Sequence, residues 1–273
     1  MSDHAQRAAR NLTALRAKKP LIHNITNFVV MNYTANALLA MGASPVMAHA
    51  PNEVEEMVGL AGALVLNIGT LTEEWIDSML MAGRAAAARR LPIVLDPVGS
   101  GATALRTRSA RRIISDVRPT VIRGNASEVL SLRNAASKTK GVEAMHSVDD
   151  AARTASALAR ELNAVVAITG PVDLVTDGRR MARVANGHFL MGCVTGTGCT
   201  ATAAIGAFMT VDTDPMSATA TALAYFGLAG EVAARTAAAP GSFMIGMLDA
   251  LYTISPEQLQ EGCRIEIDKT DAG

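Results

Sequence analysis

The run VTGTGC at residues 194–199 has the composition of an anion-binding turn, because its glycines precede an apolar stretch at residues 200–208. Glycines at a helix start leave the first backbone N–H groups unobstructed, and the helix dipole adds partial positive charge there. The N–H groups of Gly196, Thr197, Gly198 and Cys199 are therefore expected to hold a transferring phosphoryl group. The alternative is a glycine N-cap that only packs against the sheet. The spacing is not the GxxxxGK[ST] of a Walker P-loop.

Cys199 closes this run, at a position where the positive end of a helix dipole favours the thiolate. Three roles are open for it: a general base, a covalent nucleophile, or an inert buried thiol, which is the commonest fate of a cysteine. No histidine has an evident place beside Cys199 in the sequence, which argues weakly against the nucleophile.

Other polar residues follow several predicted strands, in the segments HNITN (23–27), DPVGSG (96–101), RGNASE (123–128) and TG (169–170). Asp96 and Glu128 supply carboxylates at neighbouring strand ends, where they could hold Mg²⁺, which needs few protein ligands. Each could instead be a turn or N-cap carboxylate. Arg123 could pair with a phosphate or with a structural carboxylate such as Glu128.

The elements that must position these residues alternate between strands and helices. Short β-branched runs predict strands at residues 21–25, 44–47, 63–68, 93–96, 121–122 and 165–169. Helical periodicity predicts helices at 73–88, 104–117, 149–162, 197–209, 215–235 and 243–252, with a hairpin at 173–184. This order predicts an α/β fold, a three-layer α/β/α sandwich with a mostly parallel central sheet. Ligands of such sheets bind beyond the carboxyl ends of the strands.

Residues 1–273 are expected to form a single domain, with about ten residues at the end as a flexible tail. The 25 Lys and Arg residues balance the 25 Asp and Glu residues, so neither nucleic acid nor a membrane surface is an expected partner. The arginines at 106, 108, 111 and 112 are interpreted as a solvated helix face. Three cysteines without metal-ligand spacing, and no signal-peptide or membrane-span pattern, favour a cytoplasmic location.

The motifs, taken together, resemble the hydroxyethylthiazole kinase family from about residue 12 to residue 251. RGNASE and VTGTGC are the most specific of them. Those that carry the resemblance, in the same order and spacing as in the family, are HNITN (23–27), TANALLAMGASPVM (34–47), NIGTL (67–71), LDPVG (95–99), RGNASE (123–128), VTGTGC (194–199) and PGSF (240–243).

The resemblance implies a ribokinase-like fold without the lid subdomain of sugar kinases. It implies an ATP-dependent kinase that requires Mg²⁺ and phosphorylates the hydroxyl of 4-methyl-5-(2-hydroxyethyl)thiazole in thiamine salvage. It also implies a homotrimer with active sites between neighbouring subunits.

The resemblance further assigns roles to individual residues. Cys199 stands where most ribokinase relatives carry an aspartate base, and Cys193 stands where this family often carries a basic residue. The roles carried over are thiazole binding for Asn27, Met47 and Gly196, ATP binding for Arg123 and Thr169, and organisation of Mg²⁺ and the phosphates for Asp96 and Glu128.

Three other functions are compatible with this fold: two are different enzymatic reactions, and the third is ligand binding without catalysis. A hydroxymethylpyrimidine kinase of the same superfamily would carry aspartate in place of Cys199. An ATP-dependent dehydratase of nicotinamide hydrates shares the ribokinase-like fold. A silent binding protein could keep the ligand pocket, although intact Asp96, Arg123 and Glu128 argue against such decay.

Overall fold

Buried aliphatic runs of the chain form a nine-stranded sheet, and a computed structural model describes residues 3–133 and 148–269 of the protein. The strands, in chain order, are Leu21–Ile25 (β1), Ser44–Val46 (β2), Ala63–Asn67 (β3), Ile93–Asp96 (β4), Val121–Asn125 (β5), Val165–Thr169 (β6), Asp173–Thr176 (β7), Arg180–Val184 (β8) and Ile265–Lys269 (β9).

Helices connect these strands and complete the layers, and a short 3₁₀ helix, Phe189–Cys193, precedes the glycine run. The α-helices are Asp3–Lys18 (α1), Met31–Met41 (α2), Val54–Leu60 (α3), Glu73–Ala88 (α4), Ala104–Val117 (α5), Ala126–Leu130 (α6), Val148–Leu162 (α7), Thr197–Met209 (α8), Pro215–Ala234 (α9), Pro240–Thr253 (α10) and Pro256–Gly262 (α11).

The strands alternate their side chains between two separate hydrophobic cores. On β3, Val65 packs with α1, α2, α8, α9 and α10 on one face, whereas Leu64 and Leu66 pack with α3, α4, α5 and α7 on the other. Successive side chains of a strand point to opposite faces, so a strand buried on both faces must be apolar throughout. The predicted three-layer α/β/α sandwich is confirmed.

The sheet has the order β2-β1-β3-β4-β5-β6-β7-β8-β9. Strands β1 to β6 are parallel, and β7, β8 and β9 add an antiparallel extension. The chain moves from β1 outward to β2 on one side and then returns to β3 on the other. A crevice therefore opens between the carboxyl ends of β1 and β3, which is where open α/β sheets bind ligands.

The two largest differences from the sequence prediction of the sheet are at β5 and β9. β5 extends through Arg123 and Gly124, which pair with β6 although glycine is disfavoured in strands. The expected terminal tail is wrong for Ile265–Lys269, because this segment pairs antiparallel with β8 and packs Ile265 and Ile267 against the core. None of the helices within residues 3–133 and 148–269 is long and apolar enough to cross a membrane.

Candidate active site

The crevice between β1 and β3 is closed by two asparagine side chains. Asn27, just after β1, donates from Nδ2 to Oδ1 of Asn67 at the end of β3, over 2.8 Å. The same amide nitrogen lies 3.5 Å from Sγ of Cys199 in the first turn of α8. Both asparagines are buried. The ends of two strands and the start of one helix therefore meet at Asn27.

Asp96, at the end of β4, continues this polar network in the interior. Its Oδ2 accepts hydrogen bonds from Nδ2 of Asn67 at 2.8 Å and from Oγ1 of Thr202 at 2.9 Å, and Nη1 of Arg123 lies 3.7 Å away. Asp96 is 1% exposed, and this burial raises its pKa to about 6, although Arg123 and the two hydrogen bonds oppose the shift. Among the described residues, no hydrogen bond is made to Oδ1 of Asp96.

Arg123, on β5, joins the network to β6. Its Nη2 donates to Oγ1 of Thr169 at 2.5 Å. A Cβ on Gly198 would lie 2.7 Å from Nη1 of Arg123, so this glycine allows the guanidinium to lie against the start of α8. Arg123 pairs with Asp96 in this arrangement, so the alternative of an ion pair with Glu128 is not observed. Its Nε is buried without a partner, within the part of the chain that is described.

The start of α8 has no side-chain cap. Its N-cap is Gly196, whose φ of +85° and nearness to Val30 leave no room for a Cβ. The hydroxyl of Thr197 donates to Met191 O at 2.8 Å, so its backbone N–H is the donor that remains at the helix end. Residues 196–199 are half-buried rather than packed in the core. The first N–H groups of a helix lack helical acceptors, so this end can bind an anion.

The Cys199 thiol is less acidic than its position in the sequence suggested. Burial, followed by the negative charge of Asp96, raises its pKa to about 11, although hydrogen bonds from Asn67 and Asn27 and the charge of Arg123 act in the opposite direction. Burial and Asp96 therefore oppose the thiolate that the helix dipole favours. At neutral pH the group that Cys199 presents is a neutral thiol.

Glu128 lies in a capping box at the start of α6. Its Oε2 accepts from Asn125 N at 2.9 Å, while Asn125 Oδ1 accepts from Glu128 N. Its other oxygen, Oε1, accepts from Gly99 N at 2.8 Å, in the loop after β4. The structural role foreseen for Glu128 is therefore present. Its negative charge also reaches the site, because it contributes to raising the pKa of Asp96.

The chemistry of these two carboxylates is compatible with a magnesium ion that keeps most of its own waters. Within residues 3–133 and 148–269 no group of three acidic, histidine or cysteine side chains forms a closed metal cage. Mg²⁺ in phosphoryl-transfer enzymes typically uses one or two protein carboxylates together with substrate phosphates. Asp96 at the end of β4 and Glu128 in the first turn of α6 would supply that number.

Met47 lies apart from this network, half-buried and just beyond β2, on the same edge of the sheet. Its carbonyl oxygen is 3.3 Å from Nδ1 of His49, whose ring stacks on Trp75 with centroids 4.0 Å apart. Phe28, the neighbour of Asn27, contacts the same indole at 4.9 Å. An aromatic group therefore connects the loops that carry Asn27 and Met47.

Two residues of the network are absent from the sequence-based prediction. Asn67 ends a strand, so the rule that located Asp96 would have found it. Thr202 is three residues after Cys199 on α8, and helical spacing puts these two side chains on the same face. The sequence therefore contained a signal for both residues. For Thr202 that signal is weak, because a threonine inside an apolar helix often serves only in packing.

The fold is that of the ribokinase-like class. A ribokinase-like superfamily protein of Enterococcus faecalis matches 91% of this chain with a TM-score of 0.64 at 12% identity, over 89% of its own chain. The pyridoxal kinase of Staphylococcus aureus, solved with AMP-PCP and pyridoxal, matches 92% of this chain and 99% of its own with a TM-score of 0.63 at 16% identity. At these identities the likeness concerns the fold alone.

Closer relatives identify the family. The model of the hydroxyethylthiazole kinase family matches residues 12–257. Hydroxyethylthiazole kinase from Desulfotalea psychrophila is 66% identical over 266 residues, which is 97% of either chain. The structure of a hydroxyethylthiazole kinase protein from Pyrococcus horikoshii has a TM-score of 0.90 at 46% identity, over 96% of this chain and 99% of that one. The chain belongs to the hydroxyethylthiazole kinase family.

Proposed function

We propose that this protein transfers the γ-phosphoryl group of ATP to the primary hydroxyl of 4-methyl-5-(2-hydroxyethyl)thiazole, giving the thiazole phosphate and ADP. The observation that carries the proposal is the half-exposed, uncapped start of α8, with Cys199 in contact with Asn27 on one side and Gly198 against Arg123 on the other. This juxtaposition offers a hydroxyl site and a phosphate site at the same helix end.

The thiazole side of the site is formed by Asn27, Met47 and Gly196. The hydroxyethyl group lies against Cys199, whose neutral thiol can accept or donate a weak hydrogen bond and so orient the nucleophilic oxygen. Phosphoryl transfer passes through a loose transition state that demands positioning and charge neutralisation more than a strong base. A thiol with a pKa of about 11 is compatible with that demand.

The nucleotide side is formed by Arg123 and Thr169 with the N–H groups of Thr197 and Gly198. These donors are directed at the oxygens of the migrating group, where negative charge accumulates. Mg²⁺, when bound at Asp96 and Glu128, neutralises phosphate charge. Arg123, held by Thr169 and Asp96, is restricted to one orientation before ATP arrives.

The active form is a homotrimer with its sites between subunits. Apolar side chains beside the site support this assembly: Phe28 is 61% exposed, Val29 is 63% exposed, and Phe189 in the 3₁₀ helix is 77% exposed. Exposed apolar groups next to a ligand site typically mark an interface. A neighbouring subunit seated there would cover the thiazole. The reaction belongs to thiamine salvage in the cytoplasm, where ATP is available, and residues 1–273 form one kinase domain.

The test measures ADP release in parallel with three substrates: the hydroxyethylthiazole, hydroxymethylpyrimidine, and hydrated NADH. We expect ADP to be released only when the hydroxyethylthiazole is the substrate, and phosphorus NMR to detect the thiazole phosphate as the product. Release with the pyrimidine or the hydrate instead would identify one of the rival activities. Binding of the thiazole by calorimetry without ADP formation would show a silent binding protein.

A further inference from the structure

Arg106, in the first turn of α5, binds backbone oxygens from two loops of the active site. Its Nη1 donates to Ile68 O and to Val98 O, each at 2.8 Å, and its Nη2 donates to Gly69 O at 2.5 Å. Within residues 3–133 and 148–269 it forms no ion pair. The interpretation of this arginine as part of a solvated helix face was therefore wrong.

Two of the three peptide groups bound by Arg106 direct their N–H ends at site side chains. In a trans peptide the C=O and the following N–H point in opposite directions. In the peptide between Ile68 and Gly69, the N–H of Gly69 points away from Arg106 and donates to Oδ1 of Asn67 at 3.0 Å. In the peptide between Val98 and Gly99, the N–H of Gly99 likewise donates to Oε1 of Glu128 at 2.8 Å. Each of these peptides therefore connects Arg106 to a side chain of the network.

The loop after β4 is shaped around this side chain. Gly99 has a φ of +72°, and a Cβ on it would lie 2.9 Å from Cδ of Arg106. The aliphatic stem of Arg106 thus occupies the space that a larger residue at position 99 would need. The guanidinium and the glycine fit each other in the loop that begins at Asp96.

We propose that Arg106 is a positioning residue that orients the loops after β3 and β4, and through them Asn67, Asp96 and Glu128. The inference rests on the proposed kinase function. A guanidinium suits this role better than an ammonium, because its donors lie in a rigid planar fork that can bind several oxygens at once. Its positive charge also polarises the bound peptides, which strengthens the N–H donors on their far side.

The test compares Arg106→Ala and Arg106→Lys with a control, Arg108→Ala, since Arg108 is exposed on the same helix. For Arg106→Ala, kcat is expected to fall about tenfold or more, because small displacements of catalytic groups are costly. Methylguanidinium added at millimolar concentration should restore part of that rate. Arg106→Lys should retain an intermediate kcat, and Arg108→Ala should match the wild type with or without the additive.

A second readout needs no substrate. Hydrogen exchange in the ligand-free protein should accelerate at the amides of Gly69 and Gly99 in Arg106→Ala, with no acceleration in the strands of the core. Arg106→Lys gives the same readout if the alanine variant does not fold. Unchanged kcat and exchange in the Arg106 variants, or equal acceleration over the whole chain, would overturn the positioning role. An inactive wild type and inactive Arg108→Ala would instead contradict the kinase function.

Discussion

The starts of α6 and α8 lie at the same edge of the sheet, but they use their first N–H groups in opposite ways. At α6, Asn125 Oδ1 accepts from Glu128 N, and Glu128 returns a bond to Asn125 N. At α8, the N-cap is Gly196 and no side chain caps the helix. One helix start is closed by its own residues, and the other is left open to a ligand.

This difference separates a scaffold from a binding site. A side-chain cap stabilises a helix by about 1 kcal/mol relative to alanine but by only about a few tenths of a kcal/mol relative to glycine, so the glycine N-cap of α8 leaves its N–H groups open at little cost. The N–H groups left open there become donors for a phosphoryl group. The closed start of α6 instead holds the Glu128 carboxylate in one orientation, with its other oxygen on Gly99. The two starts should therefore respond to mutation with opposite signatures.

The largest effect is expected for Gly198→Ala at the open start. The new Cβ would lie 2.7 Å from Nη1 of Arg123 and displace the guanidinium that Thr169 and Asp96 hold. We expect kcat/KM for ATP to fall about 100-fold, because displacement by an ångström has effects of that size. The melting temperature should not fall much, since alanine is the better helix former.

A control for this substitution is Gly241→Ala, in the first turn of α10, where a Cβ would meet no atom within 4 Å. Its kcat/KM should stay at the wild-type value. A Gly198→Ala enzyme with normal use of ATP would show that the open start of α8 does not face the phosphates.

The next effect concerns the thiol at the same helix start. Cys199→Ala should lower kcat about tenfold and leave the KM for the thiazole within a few-fold, because the thiol orients the hydroxyl rather than binding the ring. Cys199→Asp should retain activity, since a carboxylate can serve the same position. Steady-state kinetics with both variants test this, and phosphate or thiazole covalently trapped on Cys199 in mass spectra would assign it a nucleophilic role instead.

A smaller effect is expected at the closed start. Asn125→Ala removes the cap of α6 and should reduce the free energy of unfolding by about 1 kcal/mol. Activity at saturating Mg²⁺ should fall only a few-fold, because Glu128 keeps its bond to Gly99 N. Denaturant unfolding together with a Mg²⁺ titration of the rate measures both quantities. A large loss of activity with unchanged stability would show that the start of α6, like that of α8, acts on the ligands rather than on the stability of the fold.

The sequence located the open start because its signals are local: the glycines, the apolar run and the strand ends all lie within a few residues of the atoms they position. The contacts of Arg106 could not be foreseen in this way. Its partner Ile68 is 38 residues away in the chain, and the acceptor is a backbone oxygen that carries no sequence signature. Strand β9 escaped prediction for the same reason, because its pairing with β8 depends on distant residues and its alternating sequence is short.

The smallest effect is a difference in the rate of alkylation by iodoacetamide, which follows the fraction of thiolate. The pKa of Cys199 is raised to about 11, so its thiolate fraction, and with it the rate, should keep rising up to the highest usable pH. A thiol of ordinary pKa, about 8.5, would level off at about pH 10. Cys193 is exposed and should react first.

Mass spectrometry of the peptide that contains Cys199 measures its rate separately. A rate that reaches its plateau by about pH 8 would show that the open helix start stabilises the thiolate more than burial and Asp96 oppose it. Cys199 would then be a base rather than a neutral thiol.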